Sequence, residues 1–192
     1  FIKTSVMLFV ISAPSGAGKT TIVNAVLKDK PELVFSVSAT SRPKRDGETE
    51  GKDYFFLTKE EFKEKIENGE LVEYETLFND HYYGTLKSFV NKSILEGKNL
   101  IFDIDVNGAL SIKNLYGEKA VLIFIQPPDK ETLRKRLISR GTEPNDHIEE
   151  RLKRIDMEMK TGEEFDYRVV NDDLDKAVNE VEQIINKFKI ED

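Results

Sequence analysis

Apolar positions gather into four dense runs along the chain, at 6–12 (VMLFVIS), 99–105 (NLIFDID), 120–125 (AVLIFI) and 167–170 (YRVV). Runs with so few polar interruptions suit strands buried on both faces, as in a parallel sheet. Helical spacing follows the first run and closes the chain. From 18 to about 28, Ile22, Val23, Val26 and Leu27 share one face. From 174 to about 189, Ala177, Val181, Ile184, Ile185 and Phe188 do the same. Strands alternating with helices predict an α/β fold, a parallel sheet wrapped by helices on both faces.

Two stretches break the alternation. In 35–91 the segments FSVSATSR, DYFFL, LVEYETL and HYYGT read as short strands of a small mixed or antiparallel insertion. One helix interrupts them: TKEEFKEKIENG carries Thr58 and Glu61 as a capping box and Gly69 as its stop. The second stretch, 127–162, predicts two charged helices. One starts after Pro127 and Pro128 with Asp129 as N-cap. The other starts at Asp146 with Glu149 closing a second capping box. The predicted organisation is thus a single domain with a core at 1–34, 92–126 and 163–192, an insertion at 35–91 and a helical lid at 127–162. No internal repeat or low-complexity segment is found.

Composition narrows the chemistry. Across 192 residues, 39% are hydrophobic and 34% charged, enough to bury a core and keep a polar surface. The net charge of −7 argues against nucleic acid as a partner. No run is long enough to span a bilayer, and the first apolar segment lacks a cleavage site. No membrane association and a cytoplasmic location are therefore expected. With no cysteine, disulfides, thiol catalysis and cysteine-ligated zinc are excluded. His81 and His147 lack metal spacing and are expected at the surface.

The stretch APSGAGKT, Ala13 to Thr20, joins the first strand to the first helix. Such a turn aims several backbone N–H groups at one point, where the helix dipole adds positive charge. Gly16 and Gly18 let the backbone wrap closely, Lys19 reaches the outer phosphates and the Thr20 hydroxyl can ligate Mg²⁺. The pattern expects glycine where Ala13 stands, and alanine suffices there if φ stays below zero. The residues predicted to hold a nucleoside triphosphate are Ala13, Pro14, Ser15, Gly16, Ala17, Gly18, Lys19, Thr20 and Thr21. No N-K-x-D segment marks a signalling-type GTPase. Asp103 and Asp105 end a strand, at the sheet edge where ligands bind. Asp103 is expected to orient Mg²⁺-bound water, making Thr20 and Asp103 the metal residues.

A second phosphate site is suggested by SVSATSRPKR, where Arg42 and Arg45 can grip a phosphate by their planar forks. Tyr54 and Tyr83 are hydroxyl donors that could complete the clamp. The motifs APSGAGKT, S-x-S-x-T-x-R-x-x-R, G-K-D-Y-F-F, Y-Y-G-T, FDIDVNGA, RLISRGTE and VVNDDLDKA occur in this order. Together they closely resemble guanylate kinase, over about residues 6–188.

The resemblance implies a P-loop kinase fold, with transfer of phosphate from ATP to GMP and Mg²⁺ accompanying ATP. It implies that Arg42, Arg45, Tyr54 and Tyr83 hold the GMP phosphate, and that Ser38, Glu73, Thr85 and Asp105 read guanine. Chemistry suits that set. A carboxylate accepts from guanine N1–H and N2–H₂, and hydroxyls donate to O6, whereas adenine presents the opposite polarity. The segment after Glu73 is one residue longer than the family pattern, so Glu75 is kept as a substitute. The resemblance also implies that Arg136, Arg140 and Arg151 close over the triphosphate from the lid and that Asn171 lines the adenine side. The catalytic set is thus Lys19, Arg42, Arg136, Arg140 and Arg151; Arg134 is expected to be surface charge. A non-catalytic guanylate-kinase-like binding module and a kinase of another nucleoside monophosphate remain the alternatives. A monomer or homodimer is expected, and acceptance of dGMP is left open.

Overall fold

The computed structural model describes residues 6–77, 80–139 and 145–188, with the side chains of 136–139, 145–149 and 151 outside that description. A five-stranded parallel sheet forms its centre, from β1 (Leu8–Ser12), β2 (Val34–Phe35), β7 (Leu100–Asp103), β8 (Ala120–Gln126) and β9 (Tyr167–Val170) in the order β2-β7-β1-β8-β9. The four apolar runs supply four of these strands. Phe35, placed in the insertion by sequence, pairs with Ile101 instead and extends the core sheet.

Strand periodicity explains why the runs are apolar throughout. Leu8 and Val10 of β1, Leu100 and Phe102 of β7, and Leu122 and Phe124 of β8 point to one face. There they meet Val106, Ala109 and Ile112 of α4 (Val106–Tyr116) and Val90 of α3 (Lys87–Leu95). Their neighbours Phe9, Ile11, Ile101, Val121 and Ile123 point to the other face. That face is covered by α1 (Lys19–Asp29), through Ile22, Val23 and Val26, and by α7 (Leu174–Asn186), through Ala177, Val181, Ile184 and Ile185. Leu27 and Phe188 pack partly buried at the margin.

The second sheet orders β4 (Phe55–Phe56), β3 (Ala39–Thr40), β6 (His81–Leu86) and β5 (Leu71–Leu77) as β4-β3-β6-β5. Its β3–β4 pair is parallel and the others antiparallel, so the insertion sheet is mixed. Beneath it lies α2 (Lys59–Glu67), whose buried Phe62 stacks on Tyr82 at 5.3 Å. Thr58 and Glu61 form the reciprocal capping box expected of them. Gly84 makes that packing possible, because a Cβ there would sit 2.6 Å from the Glu73 carbonyl and 3.2 Å from the Phe62 ring.

Beyond β8, α5 (Lys130–Ser139) begins with Asp129 accepting from the Thr132 amide at 2.6 Å and its hydroxyl at 2.9 Å. The following helix, α6 (Asn145–Gly162), starts one residue before Asp146. The side chains of the capping box expected at Asp146 and Glu149 lie outside the described residues. The far end of α6 is pressed onto the core: a Cβ at Gly162 would lie 2.5 Å from the Phe124 ring. Among the described residues, no helix is long and apolar enough to cross a membrane.

Candidate active site

The strand ends of β1 and β7 open into a cavity of about 910 Å³, whose far wall is the insertion sheet and whose roof is α6. The whole stretch from Ala13 to Thr21 lines it. Gly16 (φ 85°) and Gly18 (φ 88°) occupy left-handed conformations there, turning the loop into the start of α1. Gly18 has a second reason to be glycine, since a Cβ would fall 2.6 Å from the Asn171 amide nitrogen. Ala13 keeps φ below zero and is nearly buried in the core, so alanine costs nothing at that position.

Lys19 leaves the loop to meet Asp103 Oδ1 at 2.9 Å and the Ile104 carbonyl at 3.1 Å. Thr20 donates its hydroxyl to Asp103 Oδ2 at 2.9 Å. One carboxylate thus aligns the loop's lysine and its hydroxyl. The Thr20 and Asp103 oxygens are hard donors at the cavity mouth, the type Mg²⁺ accepts while keeping waters and phosphate oxygens as its other ligands. Among the described residues no cluster of three or more acidic or histidine side chains offers an all-protein metal cage. By their oxygen chemistry the Thr20 hydroxyl and the Asp103 carboxylate fit Mg²⁺.

On the opposite wall, β5 and β6 pair so that Glu73 faces Thr85 and Glu75 faces Tyr83, all on the cavity side. A register shift between Leu71 and Glu73 sets this alignment. Thr85, itself buried, donates its hydroxyl to Glu73 Oε1 at 2.7 Å. Burial pushes the Glu73 carboxyl up to about 7, against the opposing Thr85 bond and with help from the Asp105 charge. Burial raises Glu75 as well, with Asp105 adding to it and Arg154 opposing it. Asp105 caps α4 by accepting from the Gly108 amide at 2.9 Å. Gly108 must stay small, because a Cβ would come within 2.9 Å of Asp105 Oδ1 and 3.0 Å of Glu73 Oε2. Ser38, Glu73, Glu75 and Asp105 all line the cavity, with Thr85 acting from behind Glu73.

Tyr54 and Tyr83 also line the cavity, their rings edge to face at 5.9 Å. Arg42 lies behind them, its guanidinium 4.9 Å from the Tyr54 ring centre. It is 8% exposed and forked onto Glu48, at 2.8 Å and 2.5 Å. That bond holds the Glu48 carboxyl down to about 2 and pushes Arg42 further above its ordinary range. Glu48 Oε2 also accepts the Arg45 amide at 2.8 Å, while the Arg45 side chain is exposed. Neither arginine is on the cavity wall as the chain stands, so Arg42 would have to share its fork between Glu48 and a phosphate.

Asn171, expected beside adenine, is buried behind the phosphate loop and donates to the Ala17 carbonyl at 2.8 Å. Its amide braces the loop because Gly18 leaves the space. The lid arginines are only partly described: Arg136 and Arg151 lie on α5 and α6 with side chains outside the described residues, and Arg140 lies outside them altogether. The cavity wall further includes Arg154 and Glu158 on α6, which were not singled out by sequence. Their four-residue spacing in RLKRIDME was the available signal, as the three-residue spacing from Arg45 was for Glu48.

The chain is similar to proteins of one family. The family model for guanylate kinase matches residues 5–188. A guanylate kinase of Bacteroides thetaiotaomicron is 50% identical over 181 residues, covering 94% of this chain and 89% of the relative. One of Thermotoga maritima is 49% identical over 178 residues, covering 93% of this chain and 85% of its own. Among solved structures, the guanylate kinase from Anaplasma phagocytophilum superposes with a TM-score of 0.75 at 30% identity, over 98% of this chain and 89% of that one. With a phosphate loop facing a partly buried glutamate–threonine pair across one cavity, and a sequence so similar to these relatives, this protein belongs to the guanylate kinase family, the ATP-dependent nucleoside-monophosphate kinases.

Proposed function

We propose that the chain transfers the terminal phosphoryl group of ATP to GMP, giving ADP and GDP. The observation that carries this reading is the Glu73–Thr85 pair, set across one cavity from the phosphate loop. Guanine offers two adjacent donors, N1–H and N2–H₂, to a carboxylate held in place by a threonine hydroxyl. Adenine would leave that carboxylate facing a ring nitrogen, and each buried polar group left unpaired costs about 1–3 kcal/mol. Ser38 and Asp105 line the same cavity and are available for base or ribose contacts.

At the other end, the amides of residues 15–20 and the N-terminus of α1 receive the outer phosphates of ATP, with Lys19 beside them. Held by the Thr20 hydroxyl and, through a bound water, by Asp103, Mg²⁺ would neutralise charge on those phosphates. The GMP phosphate is already an oxyanion, so no base is needed. One of its oxygens forms a bond to the γ-phosphorus as the bridge to the β-phosphate breaks, and ADP leaves with the bridging oxygen. What the protein contributes is alignment, charge neutralisation and exclusion of water. Arg42, swung between Glu48 and the GMP phosphate, supplies acceptor-side charge, with Tyr54 and Tyr83 as hydroxyl donors and Arg45 in reach from its exposed loop. Arg136, Arg140 and Arg151 are proposed to supply charge from the lid, and Asn171 to serve ATP by bracing the loop.

Coupled measurement of ADP formation tests the reading with GMP, AMP, UMP, CMP and dTMP as acceptors. ADP formation dependent on GMP, and at least about 100-fold slower with AMP, is expected. Equal rates with AMP and GMP would remove the guanine assignment.

A further inference from the structure

Arg154 and Glu158 lie one helical turn apart on α6 and face the cavity. Arg154 donates its Nε–H to Glu158 Oε1 at 3.0 Å. Among the described residues its two terminal nitrogens make no hydrogen bond; Nη2 has only a loose contact with Glu75, at 3.7 Å. The guanidinium is therefore tethered at its inner nitrogen, and its outer fork is open toward the cleft, with the side chain 44% exposed.

The tether is the buried partner. Glu158 is 4% exposed, and among the described residues its second oxygen makes no hydrogen bond, although the Ser15 backbone amide also acts on the carboxylate. Burying a carboxylate this way is unfavourable unless it is held by donors, and Arg154 is its side-chain donor among the described residues. The helix is also packed at its base, since Gly162, one turn beyond Glu158, is pressed against Phe124. Charge balance points the same way. The described cavity wall carries carboxylates at 73, 75, 103, 105, 150 and 158 against two cations, Lys19 and Arg154. Lys19 is already engaged by Asp103.

On the proposed function, the geometry points to Arg154 as a further phosphate-contacting cation of the transfer step, with Glu158 as the positioning residue that aims its fork through Nε. An arginine held at Nε keeps two coplanar donors for phosphate oxygens, which a lysine cannot present. Glu158 touches no substrate in this scheme; it fixes the plane and direction of the guanidinium.

The test is steady-state kinetics of the full-length chain with Arg154→Met, Arg154→Lys, Glu158→Ala and the double variant Arg154→Met/Glu158→Ala. Arg154→Met should lower kcat about 100-fold, with both KM values within about three-fold of the parent, the mark of a contact made in the transition state. Arg154→Lys should recover part of that loss. Glu158→Ala should lower kcat at least about ten-fold, and the double variant should be no slower than Arg154→Met, because the two residues act as one unit. A kcat for Arg154→Met within two-fold of the parent overturns the inference. So does a change confined to the KM for GMP, which would place Arg154 at the base instead. Additive losses in the double variant would overturn the positioning role of Glu158. Should the parent chain itself form no ADP in response to GMP, it is the proposed function that fails, a result distinct from all of these.

Discussion

Replacing Glu73 by glutamine should make the nucleotide-free protein more stable while impairing its chemistry. The native carboxyl is pushed up from 4.5 to about 7, chiefly by burial. At about 1.4 kcal/mol per pH unit, ionising it in the folded chain costs about 3 kcal/mol. The sign follows from proton binding. Between pH 4.5 and 7 the folded protein holds a proton at Glu73 that the unfolded chain has released, so stability falls as pH rises through that window and is flat above it. Glutamine removes the charge but keeps an oxygen to accept from Thr85, so the slope disappears. Urea unfolding of parent and variant at intervals from pH 4.5 to 8 would measure the difference. The stability advantage of Glu73→Gln should grow by about 3 kcal/mol across the window and then level. Neighbouring carboxyls such as Glu75 are common to both proteins and largely cancel in the subtraction. A difference that stays constant from pH 4.5 to 8 would refute the claim that Glu73 is held against desolvation for the sake of a ligand.

Lys19→Ala should lower turnover at least about 100-fold while leaving GMP affinity near its original value, checked by steady-state kinetics and calorimetry. Gly18→Ala forces a side chain into a left-handed conformation and into the Asn171 amide; a loss of about 1–3 kcal/mol in unfolding free energy is expected, together with weakened ATP binding. Gly108→Ala should displace the Glu73 or Asp105 carboxylate and raise the KM for GMP about ten-fold, with the KM for ATP little changed. If the KM for ATP rises instead, the wall formed by Glu73 and Asp105 does not serve the acceptor.

The core was legible because its chemistry is local. Residues 8–12, 100–103 and 120–126 are apolar on both alternating faces, and that alone separates a buried parallel strand from a half-exposed one. Gly16 and Gly18 declared the phosphate loop, and Thr58 with Glu61 declared the start of α2, since each depends on neighbours in sequence. What escaped depends on partners distant in the chain. Phe35 joins the core sheet because Ile101 lies beside it, which its polar surroundings in 36–45 conceal. Asn171 supports Ala17 across 154 positions, so nothing near it in sequence announces a brace. Arg42 faces Glu48 rather than open solvent because the turn at 45–48 folds that carboxylate back onto it. Arg154 read as one charge among many on a polar helix, and only the burial of Glu158 beside it gives it a direction.

In the proposed reaction donor and acceptor lie end to end in one cleft, between the phosphate loop and Glu73. A compound joining adenosine to guanosine through five phosphates measures this most directly, by titration calorimetry with competition. One molecule should bind per chain, displaced by either ATP or GMP, with affinity well above that of either nucleotide and lowered at least ten-fold by Glu73→Gln. Two molecules bound per chain, or displacement by ATP but not by GMP, would contradict it.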